Sequence, residues 1–354
     1  MRNLLSRAIP VGIAALLTAA CGGGLTGPAA SGSPPVDVTL ATANNMLHTA
    51  EFVAVEKGLF LNHGVKVKLQ ILNTGAEINK AMESGTAQFG GGSITAIPTA
   101  RQAGLNTFMF APYMNDATTA TDDNALALVA RADSGIKKGD WNSLVGKKVG
   151  LVKGGTADEL LTKHLTRAGI DPKKVSYLNV QPGDQLAAIQ QRSVDAIATW
   201  EPYQTDIMAK LGSNAVLIQR GGGLLGYILG LETTDEYART HGDVVQKMTD
   251  ALAETLAWIR GHLKEAATIA THFIPGLDPD VAAEAIKNLN FDPRVSDCTV
   301  GAMADSTKVL LDQKKLTKNI PAAEEITKTY VAKTQQANSQ YFKDLKPIPA
   351  SCST

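Results

Sequence analysis

The chain has 354 residues, 44% of them hydrophobic and 19% charged, and its 34 basic and 34 acidic side chains give a formal net charge of zero. That balance excludes the basic face a nucleic-acid partner requires and the high net charge of a disordered chain. The length allows a large core, read here as two globular units.

At the N-terminus, Arg2 and Arg7 precede an apolar run from Ile9 to Leu17, and LTAAC ends at Cys21. This is the three-part layout of a secretory signal over residues 1–20, with a run too short to span a membrane. The cysteine after Leu-Thr-Ala-Ala resembles the bacterial lipobox, which implies a lipidated Cys21; an ordinary signal with an incidental cysteine is the alternative. Residues 21–35 are almost all small residues, Gly and Pro, and read as a flexible tether.

The next 200 residues contain an internal repeat at an offset of 107 to 108. VDVTLAT (36–42) and GKKVGLVK (146–153) are strand patterns, followed by the helix patterns HTAEFVAVEKGLF (48–60) and GTADELLTKHLTRAG (155–169). Thr49 then matches Thr156, and Glu51 matches Asp158. Strands VKVKLQIL (65–72) and KVSYLNV (174–180) come next. AEINKAMESGTAQFGGGS (76–93) and GDQLAAIQQRSVDAIATW (183–200) are each a helix, a turn and a strand, which aligns Ser93 with Trp200. NTFMFAP (106–112) and NAVLIQR (214–220) close the two sets. Alternating strands and helices of these lengths imply βαβ units, and two sets imply two similar α/β lobes on parallel sheets. DNALALVAR (123–131) and GGGLLGYILGL (221–231) are expected to carry the chain across and back.

KGGTADELL (153–161) raises the question of a phosphate cradle. Gly150 to Gly155 has the spacing of a P-loop, but Thr156 and Ala157 stand where Lys-Ser/Thr is required, so the nucleotide reading fails. What survives is a glycine turn offering N–H groups at a helix start. Beyond Thr234 helical patterns cover about 243–272, 279–289, 300–315 and 322–342. Cys298 and Cys352 form an even pair in an exported chain, which favours a disulfide over two inert thiols. No metal-ligand spacing and no Gly-x-Ser-x-Gly elbow occurs, so no cofactor, metal or catalytic residue is expected.

AEFVAVEKGLF, AMESGTAQFGGGS, KGGTADELL and VDAIATWEPY, together with the lipobox, resemble the solute-binding proteins of bacterial ABC importers, specifically the nitrate, sulfonate and taurine (NMT1-like) group. The resemblance implies a two-lobed periplasmic-binding-protein fold of type II with a two-strand hinge. Lobe 1 is then 36–125 plus 226–354 with the C-terminal helices, and lobe 2 is 126–225. It implies a monomeric lipoprotein anchored at the membrane that passes a small organic anion to a permease and ATPase. An aromatic or pyrimidine-like ligand is the alternative, and an enzyme on the same fold is a third reading. Ligands of open parallel sheets sit beyond the strands' carboxyl ends. The expected contacts are Asn44, Asn45, His48, Thr49, Gly92, Ser93, Thr95 and Tyr113 on one wall, and Gly155, Thr156, Ala157, Trp200, Glu201 and Tyr203 on the other. For Thr156 a plain N-cap with Glu159 completing a capping box is the competing role. Glu201 repels an anion unless it is paired, turned away or binding an amine.

Overall fold

The computed structural model describes residues 34–353. The signal segment, Cys21 and the tether up to residue 33 lie outside the described residues.

Ten strands form two five-stranded sheets. The first holds β1 (Val36–Ala43), β2 (Val65–Leu72), β3 (Phe89–Ser93), β4 (Thr107–Met114) and β10 (Leu229–Thr234), in the order β2-β1-β3-β10-β4. The second holds β5 (Leu126–Arg131), β6 (Lys148–Leu151), β7 (Ser176–Asn179), β8 (Ala196–Trp200) and β9 (Ala215–Arg220), in the order β7-β6-β8-β5-β9. The repeat is therefore an architecture as well as a pattern: β1 pairs with β2 and β3 as β6 pairs with β7 and β8.

The expectation of parallel sheets needs a correction. β10 runs antiparallel between β3 and β4, and β5 runs antiparallel between β8 and β9. Each sheet thus takes in, against its direction, the strand that arrives from the other sheet. The strand patterns also overran. Residues 221–228 are an irregular loop rather than strand, and the crossing strands begin at Leu126 and Leu229.

That loop explains its glycines. Gly221, Gly222 and Gly223 have φ of +49°, +139° and +64°, values that side chains resist. The carboxylate of buried Asp123 accepts the N–H groups of Gly223 and Leu224 at 2.9 Å each, and His164 Nε2 lies 2.7 Å from the Gly221 carbonyl. A Cβ on Gly222 would meet the His164 ring at 2.5 Å. The outgoing and returning crossings are bonded into one junction.

The C-terminal third is helical, with breaks the periodicity blurred. The 243–272 pattern is two helices, Gly242–Gly261 and Leu263–Phe273, parted at His262. Helix Gly242–Gly261 packs on the first sheet and on helix Thr49–Glu56. Buried between layers, Thr49–Glu56 has no polar face (Phe52, Val53 and Ala54 are fully buried), which its sequence shows in AEFVAV. Cys298 and Cys352 are joined in a disulfide that fixes the tail, where Cys352 Sγ also approaches the Thr118 carbonyl at 3.4 Å.

Candidate ligand-binding cleft

The carboxyl ends of β1, β2 and β3 face those of β6, β7 and β8 across a cleft of about 430 Å³. Four helical starts surround it, at Met46, Gly75, Ala96 and Thr156. Helix starts leave N–H groups without intrahelical acceptors and favour negative charge. At three of these starts a side chain takes up a first-turn N–H: the N-cap Asn45 accepts Leu47 N–H at 3.0 Å, the N-cap Thr74 accepts Glu77 N–H at 3.3 Å, and Ser93, two residues before the N-cap Thr95, accepts Ala96 N–H at 3.2 Å.

The fourth start differs. Gly155, not Thr156, is the N-cap of helix Thr156–Arg167, and no side chain caps it. The capping box does not form, because Glu159 is buried and accepts Ser306 Oγ at 3.0 Å instead. The glycine N–H groups expected to be free are both used: Gly154 donates to Asp158 at 2.9 Å and Gly155 to the Val152 carbonyl at 3.1 Å. What remains is the Thr156 and Ala157 N–H groups, which find no backbone acceptor among the described residues. The freed Thr156 hydroxyl lies 3.3 Å from Thr95 Oγ1, where the two walls touch.

Of the expected contacts, Asn45, His48, Ser93, Thr95, Gly155, Thr156 and Trp200 line the cleft. Asn44 and Tyr203 line a second cavity of about 270 Å³ that shares Asn73 and Gln181 with the first, and burial pushes the Tyr203 phenol up to about 12. Five do not line the cleft. Thr49 turns inward and donates to the Met46 carbonyl at 2.6 Å. Ala157 is core. Gly92 packs against the Glu232 carboxylate, which a Cβ would meet at 2.6 Å. Tyr113 is fully buried, with its hydroxyl 2.9 Å from His48 Nδ1. Glu201 is turned away: Arg220, Gln204 and Asn288 each donate to its Oε1 at 2.7 Å, so it neither repels an anion nor binds an amine in the cleft.

Behind the first wall lies a buried polar network. Glu51 Oε2 sits 3.1 Å from His48 Nδ1 and accepts the Thr42 hydroxyl. Glu232 accepts Thr107 Oγ1 at 2.7 Å. Burial lifts the Glu232 carboxyl to about 7; the Thr107 hydrogen bond opposes the shift and the Glu51 charge adds to it. The triple glycine makes room for this network. A Cβ on Gly91 would meet the His48 ring at 2.6 Å and Glu51 Oε1 at 2.7 Å. Gly90 to Gly92 thus make room for buried side chains, and Gly92, an expected ligand contact, is among them.

Several lining residues gave no expectation from the sequence. Tyr227 is 6% exposed, and its hydroxyl makes no hydrogen bond among the described residues. Its place follows from the antiparallel entry of β10, which sets Leu229 opposite Ser93. Lys153, in the quoted glycine turn, lines the cleft without an ion-pair partner among the described residues. Leu310 and Lys315 reach it from the C-terminal segment, which no repeat pattern links to the site. Among the described residues no group of three or more His, Cys, Asp or Glu is placed to hold a metal ion.

Known proteins share this chain's family and fold. The family described as NMT1/THI5 like matches residues 45–266. A putative aliphatic sulfonates-binding protein of Bacillus subtilis is 23% identical over 81% of this chain and 85% of its own length. The taurine-binding periplasmic protein of Escherichia coli is 27% identical over 47% of this chain and 49% of its own. The alkanesulfonate-binding protein of Xanthomonas axonopodis, solved bound to MOPS, superposes with a TM-score of 0.71 at 19% identity, covering 84% of this chain and 99% of that one.

Proposed function

This chain belongs to the NMT1/THI5-like family, and we propose that it is an extracytoplasmic solute-binding protein that captures a small organic anion and delivers it to an ABC importer. The observation that carries this reading is the charge of the cleft. Lys153 and Lys315 line it together with an uncapped helix start, and no Asp or Glu is among the lining residues. Lys153 has no ion-pair partner among the described residues, while Lys315 pairs with Asp158. Such a site suits a head group with several equivalent oxygens, and a sulfonate is the first choice. The volume of about 430 Å³ leaves room for an organic tail, which favours an alkanesulfonate or aminosulfonate over nitrate.

The two sheets act as lobes, 36–125 with 226–354 and 126–225, that close on the ligand and present a docking surface to the permease. Cys21 anchors the monomer at the membrane. In this reading the protein binds and releases its ligand unchanged. Trp200 and Tyr227 in the lining favour a second reading, an aromatic acid whose ring stacks there.

Titration calorimetry of the purified protein with butanesulfonate, taurine, MOPS, nitrate and benzoate tests the proposal. Saturable binding of a sulfonate, with nitrate and benzoate weaker, is the expected result. Preference for benzoate selects the second reading, and no binding across the panel contradicts both.

A further inference from the structure

The segment following helix Asp297–Asp312 lies beyond the residues matched by the family, yet it completes the cleft. Its backbone is fixed to the first wall, where Gln102 Nε2 donates to the Lys315 carbonyl at 3.3 Å and Gln102 Oε1 accepts from Thr317. Its side chain reaches the second wall, where Lys315 Nζ lies 2.7 Å from Asp158 Oδ2. Lys315 therefore spans both walls, and its ammonium stands beside the uncapped start at Gly155 and Thr156.

We infer that Lys315 is a specificity-determining residue that leaves Asp158 to take the anionic head of the ligand. Two features favour exchange over a fixed latch. The lysine side chain of the pair is 31% exposed, so water and an incoming ligand can reach its ammonium. Asp158 also keeps a second task without the lysine, since it accepts the Gly154 N–H at 2.9 Å. An incoming sulfonate offers three oxygens to an ammonium that Asp158 holds through one. This inference rests on the proposed anion binding.

The experiment is titration calorimetry of wild type, Lys315→Gln, Lys315→Arg and Asp158→Asn with butanesulfonate and taurine, with thermal melts to confirm folding. Exchange predicts that Lys315→Gln weakens binding by roughly tenfold or more, as expected for loss of a charge-assisted hydrogen bond. It also predicts that Lys315→Arg restores most of the affinity and that Asp158→Asn strengthens binding, because the rival acceptor has lost its charge. Equal weakening by Lys315→Gln and Asp158→Asn would show a latch and overturn the assignment. So would sulfonate affinity unchanged in Lys315→Gln. Failure of the wild type to bind any sulfonate would overturn the proposed function with it.

Discussion

The two walls of the cleft share one pattern and use it in opposite ways. β3 and β8 occupy equivalent places, with Phe89 paired to Leu40 as Ala196 is paired to Val149. Yet β3 reads FGGGS and β8 reads AIATW. The second sheet fills its strand with Ile197, Ala198 and Thr199, all buried in an ordinary core. The first gives up three side chains to house His48, Glu51 and Glu232. Thr49 and Thr156 diverge likewise, one bonded inward to Met46 and the other facing its counterpart wall. One wall is held by a buried side-chain network, while the other offers bare backbone and Lys153. A matching position in a repeat therefore predicts location better than role.

The largest expected effect breaks this asymmetry directly. Gly91→Val places carbons on the His48 ring and Glu51, and overpacking of this kind costs about 3 kcal/mol. Its equivalent, Ala198→Gly, removes one buried methyl and should cost about 1 kcal/mol. Urea unfolding of the two variants checks the contrast, and equal losses would mean that the glycines serve no network.

Titration supplies the next contrast. Burial raises the folded-state carboxyl of Glu232 to about 7 from its ordinary 4.5, so its neutral form belongs to the fold. Any stability it supplies is complete below pH 4.5 and fades as pH rises towards about 7. Glu325, also lifted to about 7 by burial, acts over the same window. Glu232→Gln, which keeps an acceptor for Thr107, should recover about 3 kcal/mol at pH 8 relative to wild type and change little at pH 4.5. Unfolding curves at both pH values decide this.

On the other wall the effect belongs to binding. Thr156→Ala with Trp200→Ala should weaken sulfonate binding at least ~tenfold, equivalent to about 1.4 kcal/mol. Calorimetry measures the loss. The smallest effect separates the matched threonines: Thr49→Ala should cost about 1 kcal/mol of stability through its lost hydrogen bond and leave sulfonate affinity unchanged. Thr156→Ala should do the reverse.

The two sheets, the order of their elements and the cleft at the strand ends were legible because hydrophobic periodicity and the repeat are local signals. Seven of the fourteen expected contacts line the cleft and two line its neighbour. The misses share a cause. Tyr227 depends on an antiparallel insertion, Lys315 on a segment 157 residues along the chain from its partner, and Glu201 on an arginine in another strand. The Thr156 capping box was locally plausible, but Ser306, far away in sequence, claimed Glu159. Tertiary partners decide which way a polar side chain turns, and the repeat carries no trace of them.

A structure of the protein with butanesulfonate tests the central claim most directly. The account predicts one sulfonate between the walls, within hydrogen-bond reach of the Thr156 hydroxyl or N–H and of Ser93 or Thr95. A sulfonate held by one wall alone, or seated outside the cleft, would contradict it.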